Sequence, residues 1–156
     1  MNALFPYLSF RGTLLRSVAL AALFGLTQAA AFASSRWATL EAIHQLENPT
    51  DSSRPGPYGE LGAYQFRREV WIKYTHAPFS HALDRTASDA VAVRHYEWLK
   101  VQLANAGITP STYNIALAWN GGVSGVVRDT APYRARDYAE RAETLADRFD
   151  HMTASN

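Results

Sequence analysis

From residue 35 onward, apolar residues recur at intervals of three and four, and nowhere do they alternate with polar ones long enough to build a sheet. That pattern restricts the chain to helices packed around one core, and 156 residues suffice for a single domain. Ser35 can cap a first helix running to about Glu47, with Trp37, Leu40, His44 and Glu47 on one face and Ile43 and Leu46 beside them. Pro49 ends it, because the residue before a proline is pushed out of the α region, so Glu47 falls in or beside the last turn. Residues 50–61 have loop composition (Ser52, Ser53, Pro55, Gly56, Pro57, Gly59), with room for a small hairpin. An aromatic-rich second helix is expected over 62–74, and Pro78 marks a break. Thr86 can cap the longest helix, which runs to Ala106 and stops at Gly107. Thr109-Pro110 opens another that ends at Gly121-Gly122, and a last helix runs from near Tyr133 or Arg136 to about Asp150. The expected fold class is mainly α, with a short loop or small hairpin after the first of these helices.

The first 33 residues read differently. Met1 to Arg16 carries Arg11 and Arg16 and no acid, Ser17 to Leu26 is apolar, and Ala31-Phe32-Ala33 offers small residues where a signal peptidase reads. This is a secretory leader, with cleavage expected after Ala33, residues 34–156 as the mature domain, and export to the periplasm or beyond. An uncleaved leader would instead be a membrane anchor, since residues 17–35 carry no charge. Without Arg11 and Arg16 the chain has 13 basic residues against 14 acidic, so its slight basicity belongs to the leader. No long basic run suggests a nucleic-acid partner. The absence of cysteine excludes disulfides, a thiol nucleophile and cysteine-ligated metal. His76 and His81 read as surface residues, and no metal or other cofactor is expected.

Glu47 is the residue with chemical interest. A carboxylate at a helix C-terminus faces the negative end of the macrodipole, and apolar neighbours such as Trp37 and Leu40 would desolvate it. Both effects raise its pKa, as a general acid near neutral pH requires. Gly59, Gly62 and Gln65 follow it at 12, 15 and 18 positions. Here the sequence resembles the lysozyme-like, soluble-lytic-transglycosylase type of peptidoglycan-cleaving domain. In that family a catalytic Glu at a helix end is followed by a variable loop and Gly-Ala-x-Gly-Leu-Met-Gln-Ile. This chain has Gly59-Glu60-Leu61-Gly62-Ala63-Tyr64-Gln65-Phe66 in register. The family's later Ala-x-Ala-Tyr-Asn-Ala-Gly block is similar to Ala116-Leu117-Ala118-Trp119-Asn120-Gly121-Gly122, and its closing-helix tyrosine matches Tyr138. The resemblance covers about residues 36–149.

The resemblance implies a glycosidase acting on peptidoglycan strands, cutting the β-1,4 link between N-acetylmuramic acid and N-acetylglucosamine with Glu47 as the acid. Gln65 and Asn120 have amides suited to N-acetyl and hydroxyl groups. Tyr64 and Trp119 have flat faces suited to sugar rings, and Tyr138 a hydroxyl able to orient Glu47. Other readings stand beside these: Tyr64 and Trp119 as core aromatics, Asn120 as a helix cap, and His44, one turn before Glu47, as a packing residue.

Several positions depart from the family. Gly56 stands for a frequent Ser, Glu60 for Ala, Tyr64 for Met, Trp119 for Tyr, and Arg134-Ala135 for Glu-Thr. Glu60 bears on the reaction, because a lytic transglycosylase needs one acid whereas an inverting lysozyme needs a second carboxylate to activate water. Glu60 or Asp51 could serve, as a second acid does in goose-type lysozymes; alternatively Glu60 is a loop carboxylate paired with Arg54 or Arg67. The competing functional reading is a non-catalytic glycan-binding or structural module on the same scaffold.

Overall fold

The computed structural model describes residues 36–154, and these are mainly helical. The expected leader at 1–33 and the capping role of Ser35 lie outside the described residues. Helix α1 spans residues 36–47. After the loop come a short α2 (Arg68–Trp71), a 3-10 turn (Phe79–Leu83), the long α3 (Arg85–Asn105), α4 (Thr112–Gly121), the single-turn α5 (Val123–Val127) and α6 (Tyr133–Ala154). Among the described residues no helix is long and apolar enough to cross a membrane.

Four of the expected helices form, with shifted ends. Asp84, not Thr86, caps α3, its carboxylate accepting the Ala87 N–H at 2.7 Å. Gly107 stops that helix at φ +73°, as expected. Ser111 caps α4 by accepting the Asn114 N–H, and the cap at its other end is Gly122 rather than Asn120. The turn of helix at 123–127 was not expected.

The helix expected over 62–74 does not form as such. Residues 62–65 are a tight turn closed by an antiparallel bridge between Leu61 and Phe66, and only 68–71 are helical. The reason is steric. Gly62 takes φ +80°, and a Cβ there would run into the Ala82 carbonyl, so this turn requires glycine. Gln65 also adopts positive φ, at +44°.

The main core gathers Leu40 and Ile43 of α1, Tyr64 and Phe66 of the turn, Trp71, and Val91, Leu99 and Leu103 of α3. A second cluster is built from small residues: Ala116 of α4 against Ala135, Ala139 and Ala142 of α6. Ala38 and Ala42 of α1 meet Ala146 farther along α6. The α6 alanines recur every three or four positions, so one face of the helix lets two others approach closely. That approach brings the end of α1 and the start of α6 together.

Candidate active site

Glu47 is the last residue of α1. Asn48 ends the helix and, buried, ties the following chain down: its side chain donates to the carbonyls of Ser52 and Gly62 and accepts the Ser52 N–H. Asn48 was missed in the sequence, where it read only as the residue before Pro49. Its amide fixes the loop entrance and the Gly62 turn relative to Glu47.

The Tyr138 hydroxyl of α6 donates to Glu47 Oε1 at 2.9 Å across 91 positions of sequence. The phenol is itself buried, and burial with the facing carboxylate holds its pKa well above the usual value, so it acts as a neutral donor. Burial pushes the Glu47 carboxyl up from 4.5 to about 7; the Tyr138 hydrogen bond opposes the rise and the negative charge of Glu60 adds to it. Trp37, expected to help desolvate Glu47, instead packs edge-on against Phe149.

Glu47 opens into a cleft of about 670 Å³. One wall is the loop and turn, with Pro57, Tyr58, Glu60, Tyr64 and Gln65; the other is the end of α4, with Trp119, Asn120, Gly121 and Gly122. Glu47, Glu60, Tyr64, Gln65, Trp119 and Asn120 therefore line this one cleft, and Tyr138 reaches it through Glu47.

Their roles differ from one to the next. Tyr64 is 3 % exposed, and its hydroxyl donates to Asp89 of α3 at 2.7 Å, so it is a core aromatic rather than an open face for sugar. Trp119 is half-buried, with its ring 5.7 Å from Phe66 and 6.0 Å from Tyr64, and it offers the aromatic surface. Asn120 is exposed and free of any cap role. Gln65 uses one N–H on the Gly62 carbonyl at 3.0 Å.

Glu60 is held by its own turn. The Gly56 N–H donates to the Glu60 carbonyl, the Tyr58 N–H donates to Oε2 at 2.8 Å, and Arg67 Nε donates to Oε1 at 3.3 Å. Burial alone would raise the Glu60 carboxyl, but these hydrogen bonds and the Arg67 charge hold it below the ordinary carboxylate range. The partner is Arg67, not Arg54. Gly56 and Glu60 are sterically coupled. A Cβ at Gly56 would lie 2.6 Å from Glu60 Oε2 and 2.7 Å from Gln65 Oε1, so the carboxylate at 60 and a side chain at 56 compete for the same space.

Asp51, the other candidate second acid, is not in the cleft. It accepts from His44 Nε2 at 3.0 Å and lies 3.7 Å from Arg85, which also pairs with Glu41 and Asp89. His44 is thus a buried member of a charged network pinning α1 and the loop to α3, and it does not touch Glu47.

Among the cleft residues missed in the sequence, one is a histidine. His95 of α3 lines the cleft beside Trp119, at 4.6 Å between ring centroids. Its only sequence signal is its place within the longest helix, which reads as packing. Among the described residues no group of three or more metal-ligating side chains stands together. Comparison with protein-family models, with curated proteins and with solved structures returned no match.

Proposed function

We propose that this domain is a peptidoglycan glycosidase that cleaves the β-1,4 bond between N-acetylmuramic acid and N-acetylglucosamine, with Glu47 as general acid. The observation that carries the reading is Glu47 itself: a carboxyl pushed up to about 7, oriented by Tyr138, at the edge of a cleft of about 670 Å³. Glu47 gives its proton to the leaving glycosidic oxygen as an oxocarbenium-like centre develops. Glu60, ionised in the same cleft, favours that positive centre electrostatically. Trp119 supplies an apolar face for a sugar ring, and Asn120 and Gln65 supply amides for its substituents. A secretory leader fits the reading, because the substrate lies outside the cytoplasm.

The centre can collapse by attack of the muramoyl 6-hydroxyl, leaving a 1,6-anhydro end, or by attack of water. Either attack releases a proton: that of the 6-hydroxyl returns to Glu47, left as a carboxylate by the first step, whereas water attacking from the opposite face needs a second base. Both Glu60 oxygens are already engaged and its basicity is held down, which favours the internal route and a lytic transglycosylase. The test is incubation of the purified protein with peptidoglycan, followed by mass spectrometry of the soluble products. Anhydromuramoyl ends are expected. Reducing ends would overturn the internal route and make Glu60 the base of a hydrolase. No soluble product from the parent protein would overturn the enzyme reading and leave the glycan-binding module.

A further inference from the structure

His95 is fixed in orientation from three sides. Its ring stacks on Trp98 at 5.8 Å with an interplanar angle of 12°. Trp119 lies tilted against it at 4.6 Å, and the Tyr74 hydroxyl hydrogen-bonds Nδ1 at 2.8 Å. Burial lowers its pKa to about 4, and the charge of Lys73 adds to the effect, so the imidazole is neutral at ordinary pH.

A neutral imidazole has one donor and one acceptor nitrogen, and the bond made by one decides the role of the other. A phenol is a better donor than acceptor, so Tyr74 donates to Nδ1 and the proton stays on Nε2. Nε2 has no hydrogen-bond partner among the described residues. Nor is it sealed in the core, because the Ser88 hydroxyl is the only fully buried unpaired side-chain polar atom among them. His95 lines the cleft beside the Trp119 ring, and Nε2 is its ring nitrogen left without a protein partner among the described residues.

We infer that His95, with Trp119, forms a specificity subsite for an N-acetyl group of the glycan, Nε2–H donating to the acetamido carbonyl while the sugar packs on the indole. This rests on the glycosidase reading and names which substituent the cleft reads. An acetamido carbonyl is a neutral acceptor and suits a neutral donor. A free amine lacks the carbonyl acceptor, and where it is protonated it meets the N–H head-on. The Tyr74 hydroxyl is a positioning group, since it selects the tautomer without touching the sugar.

The experiment uses the full chain carrying Glu47→Gln, in which turnover is slowed enough for binding to be read. Binding of a tetramer of β-1,4-linked N-acetylglucosamine, and of its fully deacetylated counterpart, is followed by tryptophan fluorescence and by calorimetry at pH 7. The acetylated tetramer should bind and the deacetylated one should bind much more weakly. Adding His95→Phe, which keeps a ring between the two indoles, should weaken binding of the acetylated tetramer by about tenfold, the loss of one hydrogen bond. It should leave the deacetylated tetramer unchanged. His95→Gln, which keeps an N–H donor, should recover part of the loss, and circular dichroism establishes that each variant is folded. If the acetylated tetramer binds the Phe variant as tightly as its parent, or the Gln variant binds no better than Phe, the His95 subsite is wrong and the glycosidase reading stands. If neither tetramer binds the Glu47→Gln protein at all, the glycan reading of the cleft falls, and the subsite with it.

Discussion

Glu47 sets stability against chemistry. Its carboxyl rises from 4.5 in the unfolded chain to about 7 in the fold, so between those values the folded state holds more protons than the unfolded one. Stability therefore falls as pH rises from about 4.5 to about 7, and levels off above. Glu47→Gln keeps an acceptor for Tyr138 and removes the titration. Urea unfolding at pH 8 should find the variant more stable than the parent by up to about 3 kcal/mol, with the gain shrinking toward pH 4. Equal pH slopes for the two proteins would sink this account. The same substitution should cut turnover by about 10²–10⁴-fold. A general acid must hold its proton, so activity should fall as pH rises through about 7. Tyr138→Phe removes a bond that favours the anion and should move this alkaline limb to higher pH. Glu60→Gln removes a neighbouring negative charge and should move the limb to lower pH. Rate profiles in which both variants shift the same way would contradict the electrostatics. The place of Glu47 at a helix end was legible from Pro49. His95 was not, because a histidine on a helix has the same local pattern whether it faces a core or a cleft.

At the scale of elements, the decisive piece is the segment from Gly56 to Phe66. Gly56→Ser would place its side chain on Glu60 and Gln65. It should cost about 1–3 kcal/mol in thermal unfolding. Gly56→Ser with Glu60→Ala should recover part of that, Gln65 Oε1 still being in the way, and a double variant no better than the single one would refute the shared-space explanation. Gly62→Ala should cost more than about 2 kcal/mol, because strain at φ +80° adds to a backbone collision with Ala82. The helices α1, α3, α4 and α6 were readable from apolar spacing and from Pro49, Gly107 and Gly121-Gly122. The expected helix at 62–74 was misread because its aromatic spacing is also that of a turn packing Tyr64 and Phe66 into the same core. The demand that decides between them, the approach of Ala82 to Gly62, comes from residues twenty positions away.

At the scale of the molecule, α6 is the arm that closes the site. Its alanine face packs closely on α4 and farther along also meets α1. Ala139 is fully buried in that seam. Ala139→Leu should force α6 outward, cost about 1–3 kcal/mol, and loosen the bond between Tyr138 and Glu47. Its alkaline limb should therefore move upward, as that of Tyr138→Phe does. A variant with lowered stability and an unmoved limb would show that the seam supports the fold without setting the geometry of the acid.

Local physics sufficed for the helices and for the position of Glu47 at a helix end, because periodicity, proline and glycine act within a few residues. It also marked most of the residues that line the cleft. The pairing of Tyr138 with Glu47, the choice of Glu60 over Asp51 for the cleft, the burial of Tyr64 and the exposure of the His95 edge were decided only in three dimensions. Each depends on what faces a side chain across the core, and that is set by how closely the alanine seams and the Gly62 turn let distant segments approach.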